Sequence, residues 1–253
     1  MPNLINPQTL NEKILLKMLF DRNPKLTLFA DKFLVRDFVK SRLEDTEQHL
    51  TKLYAVVDTL DKIHSLNLPN QFVMKVNHLS GGVKIVRDFK GLECGELERF
   101  AEVHLNENWH RSHQEWCYKN IKPCIIFEEL LDFEGNLPDD YKFFCFNGNP
   151  QFIQIDRGRF IKHQRNIYDL SLSLLPVRFC YENFQDKVSV PKNFDKMIEI
   201  AKRLSKGTDF IRVDLYNING RIIFGELTNY PEAGLGKFDP SFWDKEFGSY
   251  WNR

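Results

Sequence analysis

The chain has 253 residues, 42% hydrophobic and 28% charged, enough to bury a sizeable core as one large domain or two closely joined lobes. Its 35 basic residues balance 35 acidic ones, so no excess of positive charge marks nucleic acid or an anionic membrane as a partner. Five cysteines, an odd number without a Cys-x-x-Cys pair, argue against a disulfide framework and a zinc site and fit a reducing compartment.

Met1-Pro-Asn-Leu-Ile-Asn-Pro7 has neither the basic start nor the apolar run of a signal peptide. No apolar segment nears the roughly 18–20 residues of a membrane span. A cytoplasmic, soluble protein without a transmembrane segment is expected, with peripheral contact to a membrane assembly complex left open. Residues 1–65 read mainly as helices: Leu10–Phe20 has apolar residues at helical spacing, and Asp31–His49 continues the pattern with many charges. Phe72-Val-Met-Lys75-Val-Asn-His78 reads as a buried strand. Ser80-Gly81-Gly82 breaks it and Val83–Val86 resumes, which predicts a hairpin with a glycine tip.

Glu96–Tyr118 reads as helix. Its His104, His110 and His113 are six and three residues apart, which gives no natural third ligand, so a helix surface is expected rather than a metal site. From Cys124 the chain turns strand-rich: Cys124–Phe127, Tyr141–Phe146, a turn at Asn147-Gly148, then Gln151–Ile155. Phe194–Ser205 is an amphipathic helix. Two further strands, Arg212–Tyr216 and Ile222–Asn229, flank a turn at Asn217–Gly220. The expected fold class is α+β with an antiparallel central sheet. It divides into a helical region at 1–65, a small flap-bearing lobe at 66–122 and a large lobe at 123–253.

Several polar residues sit where burial demands a partner. Lys75 lies in an apolar strand beside Ser80-Gly81-Gly82, whose freed backbone N–H groups suit anionic oxygens; a solvated edge-strand lysine is the plainer alternative. Glu128-Glu129-Leu130 closes a strand as an adenine pocket's connecting strand would, or leaves two solvated acids there. Asp140 and Lys142 alternate charge at the next strand's start. Arg157, Arg159, Lys162, His163 and Arg165 form a basic cluster, either a solvated loop or a clamp for phosphate or carboxylate. Asp214 and Glu226 on adjacent strands, with Thr228 or Asn229 beside them, make an oxygen-rich corner that a hard cation prefers, and Arg212 adds a fork suited to phosphate. Asp132-Phe133-Glu134 is the one spaced acidic pair that would serve a sugar-nucleotide glycosyltransferase.

In order, these pieces resemble an ATP-grasp enzyme, and most of all its TupA-like branch, named for teichuronopeptide biosynthesis. The resemblance is carried by Ala30-Asp31-Lys32 with Arg36, Phe72-Val-Met-Lys75 with Ser80-Gly81-Gly82, Asp140-Tyr-Lys142 through Gly148, Arg212-Val-Asp214, and Gly225-Glu226-Leu-Thr228. It implies two α+β lobes clamping ATP, with Arg36, Lys75, Ser80, Gly81, Gly82, Glu128, Glu129, Leu130, Asp140 and Lys142 against the nucleotide. It also implies Mg²⁺, or Mn²⁺ in its stead, on Asp214, Glu226 and either Thr228 or Asn229. Arg212, Arg157, Arg165 and Lys75 would be catalytic. The implied reaction is ADP-forming ligation of a carboxylate and an amine through an acyl phosphate. It would join an amino acid or amine to a sugar-acid unit of a surface (capsule) polysaccharide precursor. A kinase acting on a sugar hydroxyl and a non-catalytic nucleotide-binding module stay open. Three features depart from the pattern: Thr228 stands where a metal-binding Asn is usual, Leu79 stands in the flap, and the stretch before Lys75 is short for a pre-ATP domain.

Overall fold

A computed structural model describes residues 2–132, 135, 137–158 and 161–251. Four helices open the chain: α1 (Leu10–Phe20), α2 (Lys25–Ala30), α3 (Val35–Arg42) and α4 (Thr46–His49). Thr9 and Glu12 start α1 with a reciprocal capping box. The helix expected over Asp31–His49 is interrupted, because the chain becomes extended at Leu43 and passes through Asp45 at φ 49° before α4.

Next come β1 (Leu53–Val57), β2 (Phe72–Val76), β3 (Val83–Val86), α5 (Glu96–Leu105), α6 (Trp109–His113) and β4 (Ile125–Glu128). The strands form one antiparallel sheet in the order β1-β4-β2-β3. Two placements differ from the sequence reading. β1 lies in the segment read as helical, and β4, assigned to the large lobe, is the inner strand between β1 and β2. β4 is buried at all four positions, and such a run carries no periodicity that says which sheet takes it. The single helix expected over Glu96–Tyr118 is divided, since Asn108 caps a new start by accepting the Arg111 N–H.

The second sheet is built from β5 (Asp140–Phe146), β6 (Asn149–Arg157) and β7 (Gln164–Asp169), with the short β8 (Arg178–Phe179) following. Helix α7 (Phe194–Ser205), β9 (Phe210–Ile218), β10 (Arg221–Thr228), β11 (Phe238–Asp239) and α8 (Phe242–Ser249) complete it. Its order is β10-β9-β5-β6-β7, antiparallel throughout, while β8 and β11 pair apart. Strand alternation gives the sheet two unlike faces. One is apolar: Tyr141, Phe143, Ile153, Ile211, Val213 and Leu215 pack under Met197, Ile200 and Leu204 of α7. Each such side chain contributes about 1.5–3 kcal/mol by leaving water.

The other face changes character along its length. At one end Phe144, Phe152 and Phe210 pack against α1, Phe247 and Trp251. Further along the same strands it becomes a charged floor, with Lys142 opposite both Asp214 and Gln154, and Asp156 opposite both Asp140 and Arg165.

A bulge completes that floor. The β10–β9 register shifts between Phe224, which pairs with Leu215, and Glu226, which pairs with Asp214. In an unbulged strand Glu226, two residues after Phe224, would share its apolar face; with Gly225 standing as the extra residue, Glu226 and Thr228 join Asp214 and Arg212.

Candidate active site

The corner read from the sequence exists and is densely paired. Arg212 donates from Nε to Asp214 Oδ1 at 2.7 Å, and from Nη2 to Asp214 Oδ2 at 2.7 Å, Glu226 Oε1 at 2.9 Å and Thr228 Oγ1 at 2.9 Å. Lys142 Nζ donates to Asp140 and, at 2.6 Å, to Asp214 Oδ2. Burial disfavours the Lys142 and Arg212 charges, yet the neighbouring carboxylates hold both cations above their ordinary range. Burial raises the Asp214 carboxyl to about 6, against the pull of Arg212 and Lys142. Asn229 is not in this corner. One residue beyond Thr228 and past the end of β10, its Nδ2 donates to the Leu26 carbonyl at 2.8 Å.

Above the floor lies a cavity of about 1540 Å³. Val73, Val83 and Ile85 from the small sheet and Tyr216 and Phe224 from the large one give it apolar walls, and Glu128–Leu131 forms one edge. Lys75 reaches in and pairs with Glu128, which also receives Arg36 Nη1 at 3.4 Å and the Thr51 hydroxyl at 2.9 Å. Glu128 is thus the buried counter-charge of the two cations, and it stays ionised because they outweigh its desolvation. Glu129 pairs with Arg221 at 2.9 and 3.1 Å. The expected role of these two acids against the nucleotide therefore has to compete with cationic partners. Leu130, Gly81 and Gly82 line this cavity and Ser80 the adjoining one. Gly82, at φ 60°, could not carry a Cβ, which would fall 2.4 Å from Val76 Cγ2.

Lys32 belongs to the site, although the sequence reading placed it only in the flanking motif. Its Nζ donates to the flap carbonyl of Leu79, and it lines both cavities. Burial lowers it to about 8, with Glu226, Asp31 and Glu128 pulling the other way.

A second cavity of about 490 Å³ adjoins the first, sharing Lys32, Asp156, Gly225 and Glu226. Arg212, Thr228, Glu115, His163 and Arg165 also line it. Both arginines expected to grip a substrate carboxylate are already engaged. Arg165 donates to Asp156 at 2.7 and 3.1 Å and to Glu232 at 2.8 Å. Arg157 forks onto Asp139 at 2.7–3.2 Å. Strand pairing brings a carboxylate beside Arg165, and Asp139 just precedes β5, relations that local spacing does not show, so a substrate carboxylate at either arginine has to share the guanidinium with an acid of the chain. Arg159 lies outside the described residues, as do Phe133 and Glu134 of the alternative acidic pair, whose Asp132 accepts from Arg87 at 2.5 Å.

Burial would push the Asp156 carboxyl up, but His163 and Arg165 beside it hold it well below the usual carboxylate range. Of the three histidines considered as ligands, His113 stacks on Trp109 at 3.6 Å and His104 contacts Glu107 at 2.5 Å. Among the described residues no group of three or more His, Cys, Asp or Glu suits a metal ion.

The family model of TupA-like ATP-grasp proteins matches residues 12–252. The chain belongs to the TupA-like ATP-grasp family. Among curated proteins none matches the sequence significantly. Solved structures similar to this TupA-like chain include the D-alanine–D-alanine ligase of Helicobacter pylori, at 15% identity and TM-score 0.48, covering 87% of this chain and 59% of that one. The D-alanine–D-alanine ligase of Bacillus anthracis complexed with ATP matches at 14% identity and TM-score 0.45, with 81% and 55% covered. The ATP-grasp ligase PsnB complexed with a minimal precursor matches at 13% identity and TM-score 0.45, with 82% and 53% covered. This chain thus spans between half and three-fifths of their lengths. No helix among its described residues is long and apolar enough to cross a membrane.

Proposed function

We propose that this TupA-like ATP-grasp protein is an ATP-dependent, ADP-forming ligase that joins a carboxylate to an amine through an acyl phosphate. The observation that carries this reading is the shared wall of Lys32, Asp156, Gly225 and Glu226 between the two cavities. One cavity has the apolar walls and cations a nucleotide needs, and the other is polar and opens onto the same charged corner.

Lys75 and Arg36 face the larger cavity and oppose phosphate charge there, with Lys32 reaching it from the flap side. The glycine tip lays backbone N–H groups over the same oxygens and closes the space to water, which would otherwise hydrolyse an acyl phosphate. The substrate carboxylate attacks the γ-phosphorus, and ADP leaves. Arg212, held rigid by Asp214 and Glu226, directs its guanidinium toward the oxyanion formed when the amine attacks the acyl carbon.

Hard cations prefer oxygen donors, and Asp214, Glu226 and Thr228 offer only oxygen on one face. They would hold Mg²⁺, or Mn²⁺ in its place. Asp214 already receives Arg212 and Lys142, so a cation held there would compete with Lys142 for its oxygen. When bound, the cation supplies charge neutralisation across the β- and γ-phosphates.

The family resemblance supports a sugar acid from a cytoplasmic surface-polysaccharide pathway as the carboxylate and an amino acid or amine as the acceptor. ADP release from Mg-ATP, measured across sugar acids and amino acids with hydroxylamine as trap, tests the reading. Hydroxamate formation supports a ligase. ADP release that follows a sugar hydroxyl and yields no hydroxamate replaces it with a kinase.

A further inference from the structure

The second cavity contains a pair that nucleotide binding does not use. His163 Nε2 lies 3.3 Å from Asp156 Oδ2, and the ring rests on Tyr181 with centroids 3.8 Å apart. Asp156 is itself immobile: Gln154 Nε2 donates to both of its oxygens at 3.0 Å, and Arg165 forks onto them from the next strand. That fork already balances the Asp156 charge, so His163 is not needed to neutralise it. Asp156 and the Tyr181 ring together position the imidazole, with Nε2 on the Asp156 side, which makes Nδ1 the nitrogen for another partner. A histidine oriented by a buried aspartate is the arrangement of a general base. At about 490 Å³ the cavity is of ligand size, and Glu115 on its wall supplies an acid whose ionised form an ammonium group would favour.

We infer that this cavity receives the acceptor amine and that His163, oriented by Asp156, is the base that takes its proton; the inference rests on the ligase reading above. The acceptor enters as an ammonium ion and gives one proton to His163 Nδ1, which frees the nitrogen lone pair. That pair attacks the acyl carbon, forming the C–N bond as the bond from carbon to the phosphate oxygen breaks. The departing phosphate takes the second nitrogen proton, leaving a neutral amide, hydrogen phosphate and an imidazolium that returns its proton to water.

Hydroxylamine, uncharged at neutral pH, attacks an acyl phosphate without needing such a base. The full chain is therefore assayed with Mg-ATP and a panel of glucuronate, galacturonate and glutamate, against either hydroxylamine or L-amino acids. In His163→Gln the ratio of amide to hydroxamate should fall by about 10²–10⁴. Added imidazole should restore part of the amide rate in His163→Ala. An unchanged ratio in both variants, whether their rates are normal or equally reduced, overturns the role of His163 and leaves the ligase reading standing. Wild-type protein that forms no hydroxamate from any acid removes the ligase reading and this inference with it.

Discussion

Lys142 and Asp214 face each other across β5 and β9 with Nζ 2.6 Å from Oδ2, both side chains almost fully buried. The same ammonium group also pairs with Asp140, so one lysine serves two carboxylates in the floor of the site. Removing one partner of a buried pair leaves charge without compensation, at about 3–5 kcal/mol. Lys142→Met should therefore lower unfolding stability by that order in urea titrations. Because the proposed cation would compete with this lysine for Asp214, added Mg²⁺ should raise the melting temperature of Lys142→Met more than that of the wild type.

Gly225 decides which face Glu226 occupies. Gly225→Ala keeps the register but places a Cβ 3.1 Å from the Tyr216 ring and 3.2 Å from the Asp214 carbonyl. It should cost about 1–3 kcal/mol, read as a drop in melting temperature.

Thr228 and Asn229 have different partners. Thr228→Val should weaken Mg-ATP binding several-fold in calorimetry, since it removes an oxygen from the corner. Asn229→Ala, which removes the contact to Leu26, should lower stability and leave Mg-ATP affinity close to wild type.

Glu115 gives stability a pH dependence of definite sign. Burial, with Glu226 pushing the same way, raises its carboxyl from 4.5 to about 7, against the hydrogen bond from Trp109. Between those values the unfolded chain ionises and the folded one holds the proton, so this group lowers stability as pH rises from about 4.5 through 7. The loss is on the order of 3 kcal/mol. Compared with Glu115→Gln, the wild type should be relatively more stable at pH 4.5 than at pH 8 in denaturant titrations.

Much of this architecture was legible in local pattern. The hairpins around Ser80-Gly81-Gly82, Asn147-Gly148 and Asn217–Gly220 follow from alternating apolar runs joined by turn residues, and α7 follows from its apolar stripe. Relations fixed only by pairing were not legible. β4 belongs to the small sheet because β1 and β2 flank it, and Arg165 is committed because strand register brings Asp156 beside it. Lys32 had a signal in Asp31-Lys32, but only the folded flap shows its Nζ at the Leu79 carbonyl. The Gly225 bulge left its trace as a glycine between Phe224 and Glu226, and a lone glycine in a strand does not say which way the next side chain turns.

The most direct test of the account is ADP release from Mg-ATP, with a responsive carboxylate and hydroxylamine, by wild-type protein and by Glu226→Gln. Glu226 takes the Arg212 fork at 2.9 Å and lines both cavities, so the account predicts hydroxamate and ADP in equal amounts from the wild type. It predicts at least about a 10²-fold loss in the variant, with the fold intact by circular dichroism. Equal ADP release by the two proteins would contradict it.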